Sequence, residues 1–361
     1  MHRLIVGGLS VLIMGTALGC VPASYLLSDT PDEQTSLAEE EAIHRAAIED
    51  NPADVDAHID LGIALHDQDR FDEAEAAYRE AIRLDAENFI AYDNLGIVLY
   101  DQKRFEASEA AHREAIRLNP EDAVAYDNLG VTLFELGQIE GAEAAHREAI
   151  RLNPEDALAH DNLGVALGEQ GKMEESEAAH REAIRLDPDY ANAHDNLGVV
   201  LGEGGQAEAA EAAHREAIRL DPDYANAHNN LGVALYDQGR FKASEGAYRE
   251  AIRLDPEDAD AHYNLGLTLY EQEQFKAATT AYRKAIRLNP EDAEAHYNLG
   301  LTLYEQGQFE EAETVYRETI RLNPKDADAH YNLGIIFEEQ GRFEEAEAAF
   351  QNSRRLETGE E

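Results

Sequence analysis

The sequence predicts an all-α chain in which one helix–turn–helix unit is repeated nine times. Three observations carry this. Leu-Gly recurs with its glycine at 62, 96, 130, 164, 198, 232, 266, 300 and 334, a constant step of 34 residues. Prolines 120, 154, 188, 222, 256, 290 and 324 keep the same step. Inside a unit, apolar residues fall at helical spacing on either side of a turn. With position 1 set seven residues before each glycine, the units run from 55–88 to 327–360.

The elements follow in chain order. Met1, His2 and Arg3 make a short basic start, and Leu4 to Leu18 carries no charge. This run is short for a bilayer span, which takes about 20 residues, and suits a secretory signal over residues 1–19. Its ending, Thr16-Ala17-Leu18-Gly19-Cys20, resembles a bacterial lipoprotein signal, with Ala17 where Leu is usual and Leu18 where a small residue is usual. The resemblance implies cleavage before Cys20, the only cysteine, and lipid attachment there. Val21 in place of Asp then favours the outer membrane, facing the periplasm. Cleavage after Ala23, giving a soluble exported protein, and an uncleaved anchor are the alternatives the residues leave open. Residues 20–36, with two prolines and small polar residues, read as a tether. Residues 37–54 read as a lone second helix that caps the array: Ala47 and Ile48 fit the unit's pattern and Asn51-Pro52 ends it.

The third unit shows how each repeat is built. Tyr126, Leu129, Gly130 and Leu133 fall at i, i+3, i+4 and i+7, one apolar face of a first helix. Gly137 breaks the chain. Ala142, Ala145, His146, Ala149 and Ile150 form the packing face of a second helix, and Asn153-Pro154 stops it, because proline cannot continue a helix. Asp156 stands where it caps the next first helix. At the far end, the position that holds Ile in the other repeats holds Arg354, beside Asn352 and Ser353. A terminal repeat has no neighbour to cover it and needs a polar face.

This unit resembles the tetratricopeptide repeat. The eighth copy carries the pattern in His296, Leu299, Gly300, Leu303, Ala312, Tyr316, Thr319 and Pro324. The departures are small: His or Tyr stands at the Trp position, and Ala86 replaces the first proline. The resemblance implies a right-handed α-solenoid whose first helices line a groove, at positions 2, 5, 6, 9, 12 and 13. Position 6 is Asn94, Asn128, Asn162, Asn196, Asn230, Asn264, Asn298 and Asn332. A side-chain amide both donates and accepts, which suits an extended peptide backbone. This column is similar to the peptide-holding ladder in the repeats of O-linked N-acetylglucosamine transferase. The alternative is that these residues bond locally. Position 12 carries Tyr100, Tyr236, Tyr270 and Tyr304, with Gly168 and Gly202 between them leaving a hollow. Position 5 changes from Asp93, Asp127, Asp161 and Asp195 to Tyr263, Tyr297 and Tyr331. Position 13 is acidic throughout, from Asp67 to Glu339.

Charge bounds the function. With 75 Asp+Glu against 30 Lys+Arg the net charge is -45, which repels phosphate backbones and anionic lipid. Nucleic acid is excluded as a partner, and a membrane is met only through the lipid anchor. The groove suits a protein or peptide that is neutral to basic and partly apolar. The chaperone-tail clamp of some repeat proteins needs basic groove residues that are absent here. The 14 histidines occupy packing positions, and columns one repeat apart stand too far apart to share an ion, so neither metal nor cofactor is expected. Repeats fill nearly the whole chain and leave no catalytic domain. The expected function is a membrane-tethered, non-enzymatic scaffold; the alternative is a structural or self-associating spacer.

Overall fold

The structure is a computed structural model. It describes residues 31–359, with side chains from residue 38. The signal segment 1–19, Cys20 and most of the expected tether lie outside the described residues. Among the described residues there are nineteen α-helices and no strand. None of these helices is long and apolar enough to cross a membrane.

Helix α1 (Pro31–Asp50) precedes the repeats. It begins inside the stretch expected as tether, so residues 31–36 are helical rather than linker. The first helices of the repeats are α2 (Val55–His66), α4 (Phe89–Asp101), α6 (Ala123–Glu135), α8 (Ala157–Glu169), α10 (Ala191–Glu203), α12 (Ala225–Asp237), α14 (Ala259–Glu271), α16 (Ala293–Glu305) and α18 (Ala327–Glu339). The second helices are α3 (Phe71–Leu84), α5 (Phe105–Leu118), α7 (Ile139–Leu152), α9 (Met173–Leu186), α11 (Ala207–Leu220), α13 (Phe241–Leu254), α15 (Phe275–Leu288), α17 (Phe309–Leu322) and α19 (Phe343–Thr358). The chain forms two compact units, Leu18–Val200 and Leu201–Glu361, divided within α10. In each unit the helices pack as consecutive hairpins, and successive hairpins pack on one another. This is the solenoid arrangement that the period predicts.

Local chemistry sets the boundaries. Asp156 caps α8, accepting from the Leu158 and Ala159 amides at 3.1 and 3.3 Å. Asn88, Asp122, Asp258, Asp292 and Asp326 do the same for their first helices. The recurrence of histidine at the Trp position has a structural reason. The Nε2 of His160, His194, His228 and His296 lies 3.0–3.2 Å from the carbonyl of the proline six residues earlier, pinning the preceding turn.

The repeated glycine is required by close packing. A Cβ on Gly130 would lie 2.4 Å from His146 Cε1, and one on Gly232 would lie 2.5 Å from Tyr248 Cε1. The ring of the second helix therefore rests directly on the backbone of the first. In Leu18–Val200 the core gathers Leu61, Leu65, Tyr78, Leu95 and Leu99. In Leu201–Glu361 it gathers Tyr248, Leu269, Tyr282, Leu303 and Tyr316. Helix α1 repeats the ion-pair pattern of a second helix: Arg70 donates to Glu41 at 2.6 Å, as Arg104 does to Glu75 at 2.7 Å. At the other end Arg354 is exposed, whereas Ser353 turns inward and is buried.

Candidate functional site: the face of the first helices

The asparagine column is not open to a ligand. Asn128, Asn162, Asn196, Asn230, Asn264, Asn298 and Asn332 are buried, and only Asn94 is half-buried. Six of them donate to the residue 35 positions earlier, across the boundary between repeats. Asn128 donates to Asp93 at 3.1 Å, Asn162 to Asp127 at 3.0 Å and Asn196 to Asp161 at 3.1 Å. Asn264 donates to Asn229 at 3.3 Å. Asn298 and Asn332 donate to the hydroxyls of Tyr263 and Tyr297, both at 3.0 Å. The expected peptide ladder is thereby corrected. These amides clasp one repeat to the next, because a buried amide finds its partner inside the protein.

Position 5 belongs to the same clasp. The other oxygen of Asp93 meets His112 Nδ1 at 2.7 Å; Asp127 meets His146 and Asp161 meets His180 at 2.6 Å. These side chains are buried, so each repeat here holds a three-membered chain of His, Asp and the next repeat's Asn. In the seventh and eighth repeats the second helix carries Tyr in place of His and position 5 carries Tyr as well, whereas the repeats of Tyr78 and Tyr248 carry Ile59 and Asn229 there. Tyr263 packs on Tyr282 with ring centroids 5.9 Å apart, and Tyr297 on Tyr316 at 5.8 Å. Tyr263 and Tyr297 are thus interior residues and not groove residues, while Tyr331 is half-buried against Phe350.

Position 12 stays on the face. Tyr100, Tyr236, Tyr270 and Tyr304 are half-buried. Each packs on the Phe that opens its second helix, at 5.4, 5.2, 5.5 and 5.5 Å for Phe105, Phe241, Phe275 and Phe309. Tyr100 also donates to Glu135 at 3.3 Å. Burial, reinforced by the carboxylates Glu271 and Glu305 respectively, pushes the Tyr236 and Tyr270 hydroxyls up to about 12. They remain neutral donors at physiological pH. His66 stands at this position in the first repeat, 2.6 Å from Asp101. Burial opposes its charge, but the bonds to Asp101 and Asp67 outweigh burial and carry it up to about 9, so it forms an ion pair. Gly168 is buried in α8 and Gly202 half-buried in α10, one in each compact unit.

One feature of this face went unread in the sequence. Position 2 is aliphatic in Ile90, Val124 and Leu158, and acidic in Asp260, Glu294 and Asp328. Ile90 and Val124 are 46% and 44% exposed, and Ile63 at position 9 is 41% exposed, so the apolar part of the face meets solvent. Burial, with Asp258 and Asp292 nearby, pushes Asp260 up to about 6. Burial also raises Glu294 and Asp328. Reading position 2 down the repeats finds both groups. As the sequence reading expects of the groove, no first helix contains Lys or Arg. The face is therefore acidic in both compact units.

Models of the tetratricopeptide repeat match residues 40–89, 60–123 and 297–356, and residues 113–144. A model described as TPR repeat matches 130–171, 169–205, 203–239, 234–272 and 266–307. The chain belongs to the tetratricopeptide-repeat family, whose members are typically non-catalytic scaffolds suited to protein–protein interaction. No curated protein matches its sequence. Several solved structures share the fold. The APC/C hetero-tetramer Cut9-Hcn1 is 18% identical over 86% of this chain, with a TM-score of 0.61. The match spans 60% of the Cut9-Hcn1 chain. A monomeric IFIT1 mutant with m7Gppp-AAAA is also 18% identical, over 90% of this chain and 76% of its own, with a TM-score of 0.57. YrrB, described as a TPR protein with an unusual peptide-binding site, is 26% identical over 52% of this chain and 96% of its own, with a TM-score of 0.41.

Proposed function

We propose that the chain is a non-enzymatic adaptor of the bacterial cell envelope, tethered through an acylated Cys20, whose first-helix face holds a protein or peptide segment. The composition of that face carries the reading. It has no Lys or Arg, it exposes Ile63, Ile90 and Val124, and it presents the half-buried Tyr100, Tyr236, Tyr270 and Tyr304 beside acidic residues. Apolar patches and tyrosines with one polar end are what interfaces reuse. The acidic surround selects a neutral or basic segment and rejects anionic ones. The asparagines contribute by holding the repeats in register.

The test is site-specific photocrosslinking in the native envelope. A photoreactive residue in place of Tyr270 should give a discrete adduct, and one in place of Arg249 on the second-helix side should not. Adding Tyr236→Ala and Tyr304→Ala should remove the Tyr270 adduct. Adducts of equal yield from both places, or none at Tyr270, would instead favour a spacer without a groove ligand. The address is tested separately: Cys20→Ala should abolish labelling by radioactive palmitate, and continued labelling would refute the anchor.

A further inference from the structure

Helix α15 breaks the charge pattern of the other second helices. It holds Lys276, Arg283, Lys284 and Arg287 and no acidic residue. Every other second helix of the repeats carries at least two acids. Two glutamates have been replaced. In the other repeats up to the eighth one Glu accepts from the Arg four residues later, as in Glu245–Arg249 at 2.8 Å and Glu313–Arg317 at 2.9 Å. Thr279 stands there in α15. In the same seven repeats a second Glu pairs with the last Arg, as in Glu250–Arg253 at 2.8 Å and Glu318–Arg321 at 2.7 Å. Lys284 stands there in α15. Lys284 and Arg287 are therefore like charges at i and i+3, an arrangement that disfavours the helix. Among the first eight repeats the pairing is broken only in α15. The terminal α19 also departs from it, with Gln351 and Asn352, but has no neighbour to cover it, so the exception within the array points to a demand other than folding.

The charges share one face. Lys276, Arg283, Lys284 and Arg287 lie at i, i+7, i+8 and i+11, a strip about 16 Å long at 1.5 Å per residue. Lys276, Arg283 and Arg287 are exposed and Lys284 is half-buried. Arg283 is engaged by Glu311 of α17. Lys276, Lys284 and Arg287 have no carboxylate partner among the described residues. Their field reaches inward. Burial lowers the His262 ring's affinity for a proton, and Lys284 and Arg287 lower it further, against the Pro256 carbonyl.

The strip is one helix wide. On α13 Arg249 and Arg253 are neutralised by Glu245 and Glu250, leaving Lys242 as the added cation, and α17 presents Glu310 and Glu311. A broad anionic surface, such as a duplex or a lipid bilayer, would meet acids of a chain of charge -45 within a screening length of about 8 Å. A narrow segment along Lys276, Lys284 and Arg287 meets fewer of them, and the nearest, Glu311, is already paired with Arg283. A second copy of this chain carries the same -45 and is repelled at long range. We propose that the outer face of α15 docks an acidic polypeptide segment of another protein, whose carboxylates pair with Lys276, Lys284 and Arg287.

The experiment uses the full chain and a fluorescein-labelled poly-glutamate peptide of about 6 residues, which spans the strip when extended at about 3.3 Å per residue. Anisotropy should report binding at low salt that weakens as salt is raised. Lys284→Glu restores the residue type of seven other repeats, so the variant should keep full helicity by circular dichroism while losing roughly 10-fold in affinity. Lys325→Glu, the same charge change at an exposed turn, should bind as the parent does. The proposal is overturned if the parent does not bind the peptide, or if both variants lose affinity equally. Preference for a single-stranded oligonucleotide or anionic vesicles overturns it too, as does a dimer in light scattering that Lys284→Glu abolishes.

Discussion

At the scale of single residues, one residue type in one column does two jobs. Asn162 is fully buried and its amide is spent on Asp127, 3.0 Å away. Asn94, at the same place in its repeat, is half-buried and faces a repeat with Ile59 where the others have Asp, Asn or Tyr. Asn162→Ala leaves a buried carboxyl oxygen without its donor, which costs about 1–3 kcal/mol. Asn94→Ala should cost less than about 0.5 kcal/mol, as surface changes do. Urea unfolding of both variants checks this. Equal costs would mean that the column is not an inter-repeat clasp. The column and its period were plain in the sequence. Its burial was not, because position 6 lies between the packing face and the groove, and only the seating of the next hairpin decides which it joins.

At the scale of elements, the turn between paired helices needs a left-handed residue. Gly137, Gly171, Gly205, Gly239, Gly307 and Gly341 supply it with φ between 69° and 74°. Asp69, Lys103 and Glu273 fill the same place with φ of 56° to 59°, where a side chain is strained. The left-handed penalty is about 1–2 kcal/mol. Glycine's extra freedom in the unfolded chain costs about 0.4–1 kcal/mol. Lys103→Gly should therefore gain roughly 0.5–1 kcal/mol, read as a higher denaturant midpoint at unchanged slope. A lower midpoint would show that Lys103 makes a compensating contact. The helices themselves were legible from Leu-Gly, the turn glycine and the proline, since each is a local requirement. The early start of α1 at Pro31 was not, because prolines and polar residues read as linker and proline is equally at home in a helix's first turn.

At the scale of the whole molecule, charge is sorted by helix. The first helices carry no Lys or Arg, while the second helices pair Arg with Glu, α15 excepted. A chain of charge -45 repels itself when folded. Exposed ion pairs return little, about 0–1 kcal/mol each. Salt should then stabilise. The calorimetric midpoint should rise between about 0.01 M and 0.15 M ionic strength, where the screening length falls from about 30 to 8 Å. A falling midpoint would mean that the Arg–Glu pairs outweigh the net repulsion.

The 34-residue period settled the fold class, the repeat boundaries and the acidity of the first-helix face, because each of these is written in one unit and copied. What the copies share with their neighbours was decided only in three dimensions. Asn128, Asn162 and Asn196 were taken inside by Asp93, Asp127 and Asp161, and Tyr263 and Tyr297 by Asn298 and Asn332. Tyr236, Tyr270 and Tyr304 stayed at the surface. The physical reason is that a polar side chain's place depends on whether a partner stands within hydrogen-bond reach, and here that partner is 35 residues away along the chain.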